Sequence, residues 1–538
     1  MHTLRRIEQA LTSRHGALAC ALLVWACTVL GLVWTPWLTM QSDSGYFMAL
    51  GRSLAHGEGY AIDGVRHRAY PPVFPLMLAA VHSLSRGDYR PEKLVMVGLS
   101  LGVVLGSYWL FSQRFAGWRR LVLVVLMALS PSLVRRTAYL LTDVGGLCFA
   151  VLFVAAWNRF WRGPDRRGAF GAVALGALAL GALTRLAGLF FYAACVAWLA
   201  RPSVWRGERR RGLLFAALFL SIAVPAAVGW GLWVCSPTEK GSATYADYVR
   251  DDVLDGHSPL SAEGGRMLLA KLPGTMYNQV CLAARAVVGQ GLGLGRGGWT
   301  LLLLPTLLVG VIWRMRRPEP QEYAFIAFSV LMILWPSPQG PRLWLPAVPL
   351  ILGYLADGLE RTAEWLARRV RLAEPGTARL RAGLLWTGAA LLLVTSLASD
   401  VRAVRDTWVP ASEPIGNVVF EEDQLDVARF VRDAGQRPIV VAYVRYLEVV
   451  PALRGMAARV VAIPFRAGSD AHSAMRRLAD EGITHLAVSE LTEAMGVRRQ
   501  PTDAARSLVA ALPERFRLVQ STPRVRIFEV VPARTDGD

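Results

Sequence analysis

The sequence predicts a polytopic α-helical membrane protein that carries a small α/β domain at its C-terminal end. Three observations predict it. Of 538 residues, 54% are hydrophobic and only 18% charged, with a mean hydropathy of +0.35, whereas a soluble domain carries about 25% charge. The apolar residues come in blocks of roughly 15–23, the length of membrane helices and too long for the alternation of a barrel strand. From about residue 417 these blocks give way to alternating amphipathic and β-rich segments.

The first apolar run, 16–38, follows a basic leader with Arg5, Arg6 and Arg14. It is longer than a signal-peptide h-region and lacks a small-x-small cleavage site, so it reads as an uncleaved first span. Further runs at 94–111, 120–134, 141–160, 168–183, 186–200, 212–235, 299–313, 322–335, 343–358 and 382–399 bring the expected spans to about eleven.

Basic residues exceed acidic ones by 59 to 40, a net charge of +19. In a soluble protein such an excess suggests nucleic acid; in a bundle it marks the cytoplasmic loops, and no nucleic-acid partner is expected. Lys93, Lys240 and Lys271 are the only lysines, so arginine is the default cation and a single arginine is weak evidence for phosphate binding. The basic leader and the segments 114–120, 162–167, 201–211, 314–317 and 361–381 fall on one face. That face and the N-terminus are assigned to the cytoplasm. The opposite face then receives the long loops 39–93 and 236–298, and everything after Asp400. The expected division is a membrane domain over 1–400 and an extracytoplasmic α/β domain over 401–538. Six cysteines show no metal-ligand spacing, and only Cys235 and Cys281 are placed to pair outside the membrane.

In the tail, 425–434, 471–481 and 501–516 read as helices. The segments 438–444, 459–464 and 484–489 read as strands, and 517–531 as a strand pair. Strands alternating with helices predict a mostly parallel sheet.

Gly98, Gly102 and Gly106 recur every four residues on one helix face, a packing signal. Gly293, Gly295 and Gly298 match the spacing of a dinucleotide fingerprint but precede an apolar span and follow no strand, so they read as a loop. P-loop, GxSxG and HExxH motifs are absent.

Candidate chemistry collects at the outer rim. Asp43 follows the first span and can serve as the N-cap of a helix starting near Tyr46. Asp143 opens the fourth span, where an ionisable residue is a functional candidate. Arg135, Arg136, Arg185 and Arg342 lie on the same side, against the positive-inside pattern, and therefore need anions. Either an internal carboxylate, Asp43 or Asp143, or a bound phosphate meets that need.

The stretches DSGYFMALGRSLAHGEGY, AYPPVFPLMLA, LLTD, LTR and QGPRLWLPAVPLI, taken in order, resemble the bacterial GT-C glycosyltransferases. The branch resembled holds the protein O-mannosyltransferases, the aminoarabinose transferases that modify lipid A and related lipopolysaccharide sugar transferases. The likeness spans about residues 15–360 and leaves the tail unassigned. It implies a GT-C fold in the bacterial inner membrane and a polyprenyl-phosphate-linked sugar donor. It also implies inverting transfer on the extracytoplasmic side to a lipid, glycan or protein acceptor. On it, Asp43 corresponds to the first-loop aspartate, as general base or acceptor-orienting carboxylate, and Asp143 to the fourth-span acidic position. Arg185, Arg342 and Arg136 correspond to donor-phosphate contacts, and Tyr46, Tyr70, Pro71, Pro72 and Gln339 to the substrate loop. Many relatives carry a second acidic residue directly after the first; here Ser44 stands there, which disfavours a bound divalent cation. His56, His67 and His82 are then surface or packing residues. A lipid-linked-sugar transporter needs midplane charges and an inverted repeat, which the sequence lacks; an inactive scaffold displaying the tail is the third reading.

Overall fold

The computed structural model of the protein describes residues 8–33, 35, 38–39, 43–62, 65–85, 90–163, 167–235, 261–289, 295–333, 335, 340–408, 418–419, 423–435, 437–443, 458–461, 463–464, 470–489 and 499–531. Gln339 and most of the turn 336–342 lie outside these residues, as do 236–260 of the second long loop.

The chain is a multi-pass helical membrane protein. The first span is α1 (Arg14–Val33). The segment after it then forms a two-residue strand β1 (Leu38–Thr39), helix α2 (Ser44–Ala55), a hairpin of β2 (Ala61–Ile62) and β3 (Val65–Arg66), and helix α3 (Val73–Ser85). Next come α4 (Arg90–Ser112), α5 (Gly117–Ala128) continued by α6 (Pro131–Thr137), α7 (Thr142–Arg162) and α8 (Arg167–Ala182). A 3₁₀ turn at Leu186–Leu189 leads into α9 (Phe190–Leu199); α10 (Arg209–Leu218) joins α11 (Val224–Cys235) through a π turn. The second half holds α12 (Ala262–Val288), α13 (Gly295–Met315), α14 (Pro320–Ile333), a 3₁₀ segment Pro341–Ala347, α15 (Val348–Arg369) and α16 (Glu374–Trp408).

Eight stretches of helix among the described residues are long and apolar enough to cross a membrane. Three further expected spans are shorter apolar helices, Gly168–Ala182, Leu186–Leu199 and Pro320–Ile333. Each of the eleven apolar runs is therefore helical, although three fall short of a full bilayer crossing of about 20 residues. The spans α7 and α15 are the most enclosed. Peripheral spans leave large side chains such as Leu232, Leu301 and Val401 exposed, as contact with lipid requires. Gly102 and Gly106 are packing positions: a Cβ there would meet Cys148 Sγ at 2.6 Å and Val151 Cγ1 at 2.8 Å. Gly98 meets nothing.

The arginine-rich end is tied by a charge network. Arg114 and Arg314 both pair with Asp357, Arg162 pairs with Glu319, and Arg119 and Arg381 converge on Glu360. Gln321 donates to Glu322 at 2.9 Å and Asn158 donates to Gln321 at 2.9 Å. Side chains from α5, α7, α13, α14, α15 and α16, with Arg114 from the turn after α4, meet there.

The tail packs as α/β. Its sheet has the order β6-β5-β7-β9-β8, with β5 (Val440–Ala442), β6 (Arg459–Val461), β7 (His485–Ser489), β8 (Phe516–Ser521) and β9 (Val525–Val530). Helix α17 (Asp423–Asp433) covers one face through Val427, Ala428 and Val431; α18 (Ala471–Asp480) and α19 (Arg499–Ala511) cover the other through Leu478 and Leu508. The sheet is mixed: β6, β5 and β7 are parallel, while β9 runs antiparallel to both β7 and β8. A parallel partner needs a crossover of a dozen or more residues, and only residues 522–524 separate β8 from β9. One tail strand returns to the membrane domain, where β4 (Val418–Val419) pairs with β1 beside the end of α1. Trp408 Nε1 donates to the Gly31 carbonyl at 2.6 Å on the same side.

Two sequence expectations are corrected. Cys235 is exposed, Cys281 is buried, and both are free thiols. The segment 236–298 is not loop throughout, because α12 occupies 27 of its residues, with Ser261 accepting the Gly264 N–H as its N-cap. Of the glycine motif, Gly295 and Gly298 lie in the first turn of α13, where no strand precedes them among the described residues.

Candidate active site

Asp43 stands immediately before α2, and its carbonyl accepts the Phe47 N–H, the first turn's bond. Its carboxylate makes no capping bond. Instead Oδ1 accepts the Tyr70 hydroxyl at 3.0 Å and Oδ2 faces Arg342 Nη1 at 3.1 Å. The Asp43 and Arg342 side chains are each 20% exposed, so the pair is sheltered yet reachable from solvent.

Packing fixes this position. Phe47 is buried edge-on against Tyr70 and Phe74, with ring centroids 4.9 and 5.2 Å away. At Gly51 a Cβ would lie 2.9 Å from Leu78 Cβ, so only glycine lets α2 approach α3 this closely. Arg342 is presented by the 3₁₀ segment, which begins after Gly340 at φ +80°, a left-handed conformation that favours glycine. Trp344 in that segment is buried and donates to Gln279 of α12 at 3.0 Å.

Tyr70 is itself held at both ends of its backbone. Its N–H donates to His67 Nε2 at 3.1 Å and its carbonyl accepts the Tyr60 hydroxyl at 2.7 Å. The His67 ring stacks on Tyr70 at 5.2 Å and 14°. Tyr46 packs at 5.5 Å from Tyr70. Pro71 is buried, and the Pro72 carbonyl accepts the Leu76 N–H at the start of α3. Burial pushes the His67 imidazole down to about 4, keeping it neutral, and raises the Tyr60 phenol above its ordinary value. His56 is exposed; His67 is 4% exposed, packed on Tyr70 and also hydrogen-bonded to its N–H; His82 packs edge-on against His56, with its Nδ1 3.2 Å from Glu92.

Asp143 and Arg185 form a second pair, in which they meet each other. Asp143 is buried in the first turn of α7. Gly146 lies against the Arg185 stem, and Gly145 brings α7 against Thr184. The Val73 N–H donates to the Leu183 carbonyl at 2.9 Å, joining the start of α3 to this corner. The two pairs adjoin through the 3₁₀ segment: Arg342 opens it, and Pro346 lines a narrow apolar cleft with Arg185 and Gly146. Half-buried Arg136 lies within electrostatic range of both Arg342 and Asp43, while Arg135 is exposed.

The arrangement thus gathers Asp43, Tyr46, Tyr70, Arg342 and Arg136 and sets the Asp143–Arg185 pair beside them. Sequence reasoning missed Tyr60 and His67, for which the only signal was a histidine three residues before Tyr70. No three His, Cys, Asp or Glu side chains gather to hold a metal ion among the described residues. The partners of Asp43 are a phenol and a guanidinium, a donor set that suits an anion-binding site better than a cation.

No protein-family model and no curated protein matches the chain. Solved structures do. ArnT from Cupriavidus metallidurans matches in its apo state with a TM-score of 0.54 and 14% identity over 95% of this chain and 97% of that one. ArnT bound to undecaprenyl phosphate matches at 0.54 and 14% over 96% and 98%. The Archaeoglobus fulgidus oligosaccharyltransferase, tethered with an acceptor peptide, matches at 0.55 and 12% over 97% and 75%. The fold is the GT-C fold. In this GT-C bundle the segment between α1 and α4, with α2, the hairpin and α3, carries Asp43 and Tyr70, and the turn before α15 supplies Arg342.

Proposed function

We propose that the protein is a membrane glycosyltransferase, which takes a sugar from a polyprenyl-phosphate-linked donor and passes it with inversion to an acceptor outside the cytoplasm. The observation that carries this reading is the Asp43 carboxylate held between a phenol and Arg342 at one sheltered, solvent-reachable end of a GT-C bundle. The similar ArnT has been solved with undecaprenyl phosphate. An isoprenoid phosphate donor suits this chain, whose bundle offers an apolar wall and whose Arg342 and Arg136 offer positive charge beside it.

A hydroxyl acceptor becomes nucleophilic as Asp43 takes its proton. A new bond then forms to the sugar anomeric carbon while the bond to the donor phosphate oxygen breaks. The departing lipid phosphate needs charge stabilisation rather than a proton, and guanidinium groups supply it. Arg342 pairs with Asp43 in this structure. An arriving phosphate competes for that guanidinium and leaves the carboxylate freer to accept a proton. The Asp143–Arg185 pair borders the same 3₁₀ segment and contributes a second guanidinium near the donor's path, with Asp143 orienting it.

The arginine distribution supports placing the paired, arginine-rich end in the cytoplasm and the Asp43 end and the tail outside. An alternating-access transporter must open both ends in turn. The network centred on Asp357 and Glu322 ties α7, α13, α14 and α15 to Arg114 beyond α4 at the end opposite Asp43, and opposes such opening. The test is sugar transfer by purified protein in detergent from a polyprenyl-phosphate sugar. Transfer supports the enzyme; its absence across hexose and pentose donors, together with donor movement across vesicles, supports a transporter.

A further inference from the structure

We infer that His67 is a positioning residue for the Asp43 carboxylate, acting through the backbone and phenol of Tyr70; this rests on the reading of Asp43 as the acceptor-side base. The chain of contacts is continuous. His67 Nε2 accepts the Tyr70 N–H at 3.1 Å, and the Tyr70 hydroxyl donates to Asp43 Oδ1 at 3.0 Å. The other side of the Tyr70 peptide is taken by the Tyr60 hydroxyl at 2.7 Å. His67 is fixed in turn: its N–H donates to the Tyr60 carbonyl at 2.9 Å and its carbonyl accepts Trp233 Nε1 at 3.2 Å. Trp233, from α11, also carries Arg66 over its ring at 3.5 Å. Residues 67–70 belong to no helix or strand, so no regular ladder holds Tyr70 in place and side chains must do so.

The chemistry demands one form of the ring. Nε2 accepts only while it bears no proton, so the neutral imidazole carries its hydrogen on Nδ1. The buried setting favours that neutral form. A phenol aimed at Oδ1 keeps the carboxylate turned so that Oδ2 alone meets Arg342. Without that aim, the carboxylate is free to form the two-pronged pair that arginine prefers, which weakens it as a base. Because the donor phosphate competes for the same guanidinium, a two-pronged pair also resists donor binding, so the loss falls on turnover and on donor KM together.

Transfer from undecaprenyl-phosphate-linked sugar is measured with the full-length protein in detergent for His67→Phe, His67→Gln, Tyr70→Phe and the His67→Phe/Tyr70→Phe double variant. Phenylalanine keeps the stacked ring and removes the acceptor; glutamine restores an acceptor oxygen at similar reach. H67F should lower kcat about five- to a hundredfold and raise donor KM. H67Q should recover most of that loss, and H67F should cost little further in the Y70F background. Should H67F yield no folded protein, His67→Leu takes its place, and melting temperature is followed for every variant. A parent that transfers while the H67F and Y70F losses multiply, or while H67Q is no better than H67F, overturns the role of His67 alone. A parent that transfers no sugar overturns the glycosyltransferase reading, and the role of His67 falls with it.

Discussion

Replacing Arg342 by alanine separates a donor contact from a structural pair. Arg342 Nη1 lies 3.1 Å from Asp43 Oδ2, with both side chains 20% exposed. A charge-assisted bond in such a setting contributes about 1.5–3 kcal/mol, and the partial exposure favours the lower end. If the guanidinium exchanges Asp43 for the donor phosphate and strengthens its hold as that phosphate departs, the same energy appears in the transition state. The corresponding fall in kcat/KM is roughly tenfold to 150-fold, divided between a higher donor KM and a lower kcat. Lysine at 342 keeps the charge but loses the fork and should fall between. Alanine at exposed Arg209 or Arg210 should change neither constant. The assay is donor titration with purified protein, paired with thermal unfolding in the same detergent. An unchanged donor dependence in Arg342→Ala, or a loss of melting temperature large enough to explain the lost activity, would refute the reasoning.

Asp143→Asn should act on stability first, because it leaves Arg185 without its buried counter-charge; breaking such a pair costs of order 3 kcal/mol, to be read as a lower melting temperature. Joint replacement of Asp143 and Arg185 by asparagine and glutamine should recover part of that loss. In acid, the neutral His67 becomes a liability: its value falls from the ordinary 6.5 to about 4 on folding, so the unfolded chain binds the proton first. Stability from this residue is complete above about pH 6.5 and declines as pH falls toward 4, by roughly 3 kcal/mol in all. The groups facing the ring are Tyr46, Tyr60 and Tyr70. His67→Gln should flatten that stretch of the stability profile. A periplasm-active reporter fused at the end of the chain should be active and one fused near Arg206 silent; the reverse pattern would contradict the orientation drawn from the arginines.

Much of the bundle was legible because apolar length is a local property: each expected run lies on a helix. The amphipathic α12 was not, since Pro273 and paired glycines at 264–265 break its pattern and its burial depends on partners far along the chain. Asp43 and the outer arginines were legible from charge on the wrong side of the membrane. Their partners were only alternatives, because Tyr70 and Arg342 lie 27 and 299 residues from Asp43, and no spacing rule spans such distances. The ion pair of Asp143 with Arg185 and of Asp43 with Arg342 answers part of that need for anions internally. His67 was read as a surface or packing residue, and its hydrogen bond was not legible because a histidine's role depends on which ring nitrogen meets which donor. The sheet's mixed order could be read only from the short turn at 522–524, whereas the helices alternating before it suggested a parallel continuation.

The most direct test of the account is the rate of sugar transfer by Asp43→Asn, which removes the proton acceptor while preserving volume and the contact with Tyr70. Purified parent and variant are compared with one polyprenyl-phosphate sugar at saturating acceptor, with donor affinity measured on each. Loss of the base should lower turnover about 10²–10⁴-fold, with folding close to the parent's and donor affinity no weaker, because the carboxylate no longer competes with the donor phosphate for Arg342. Turnover within threefold of the parent would contradict the assignment of Asp43 and, with it, the site proposed around it.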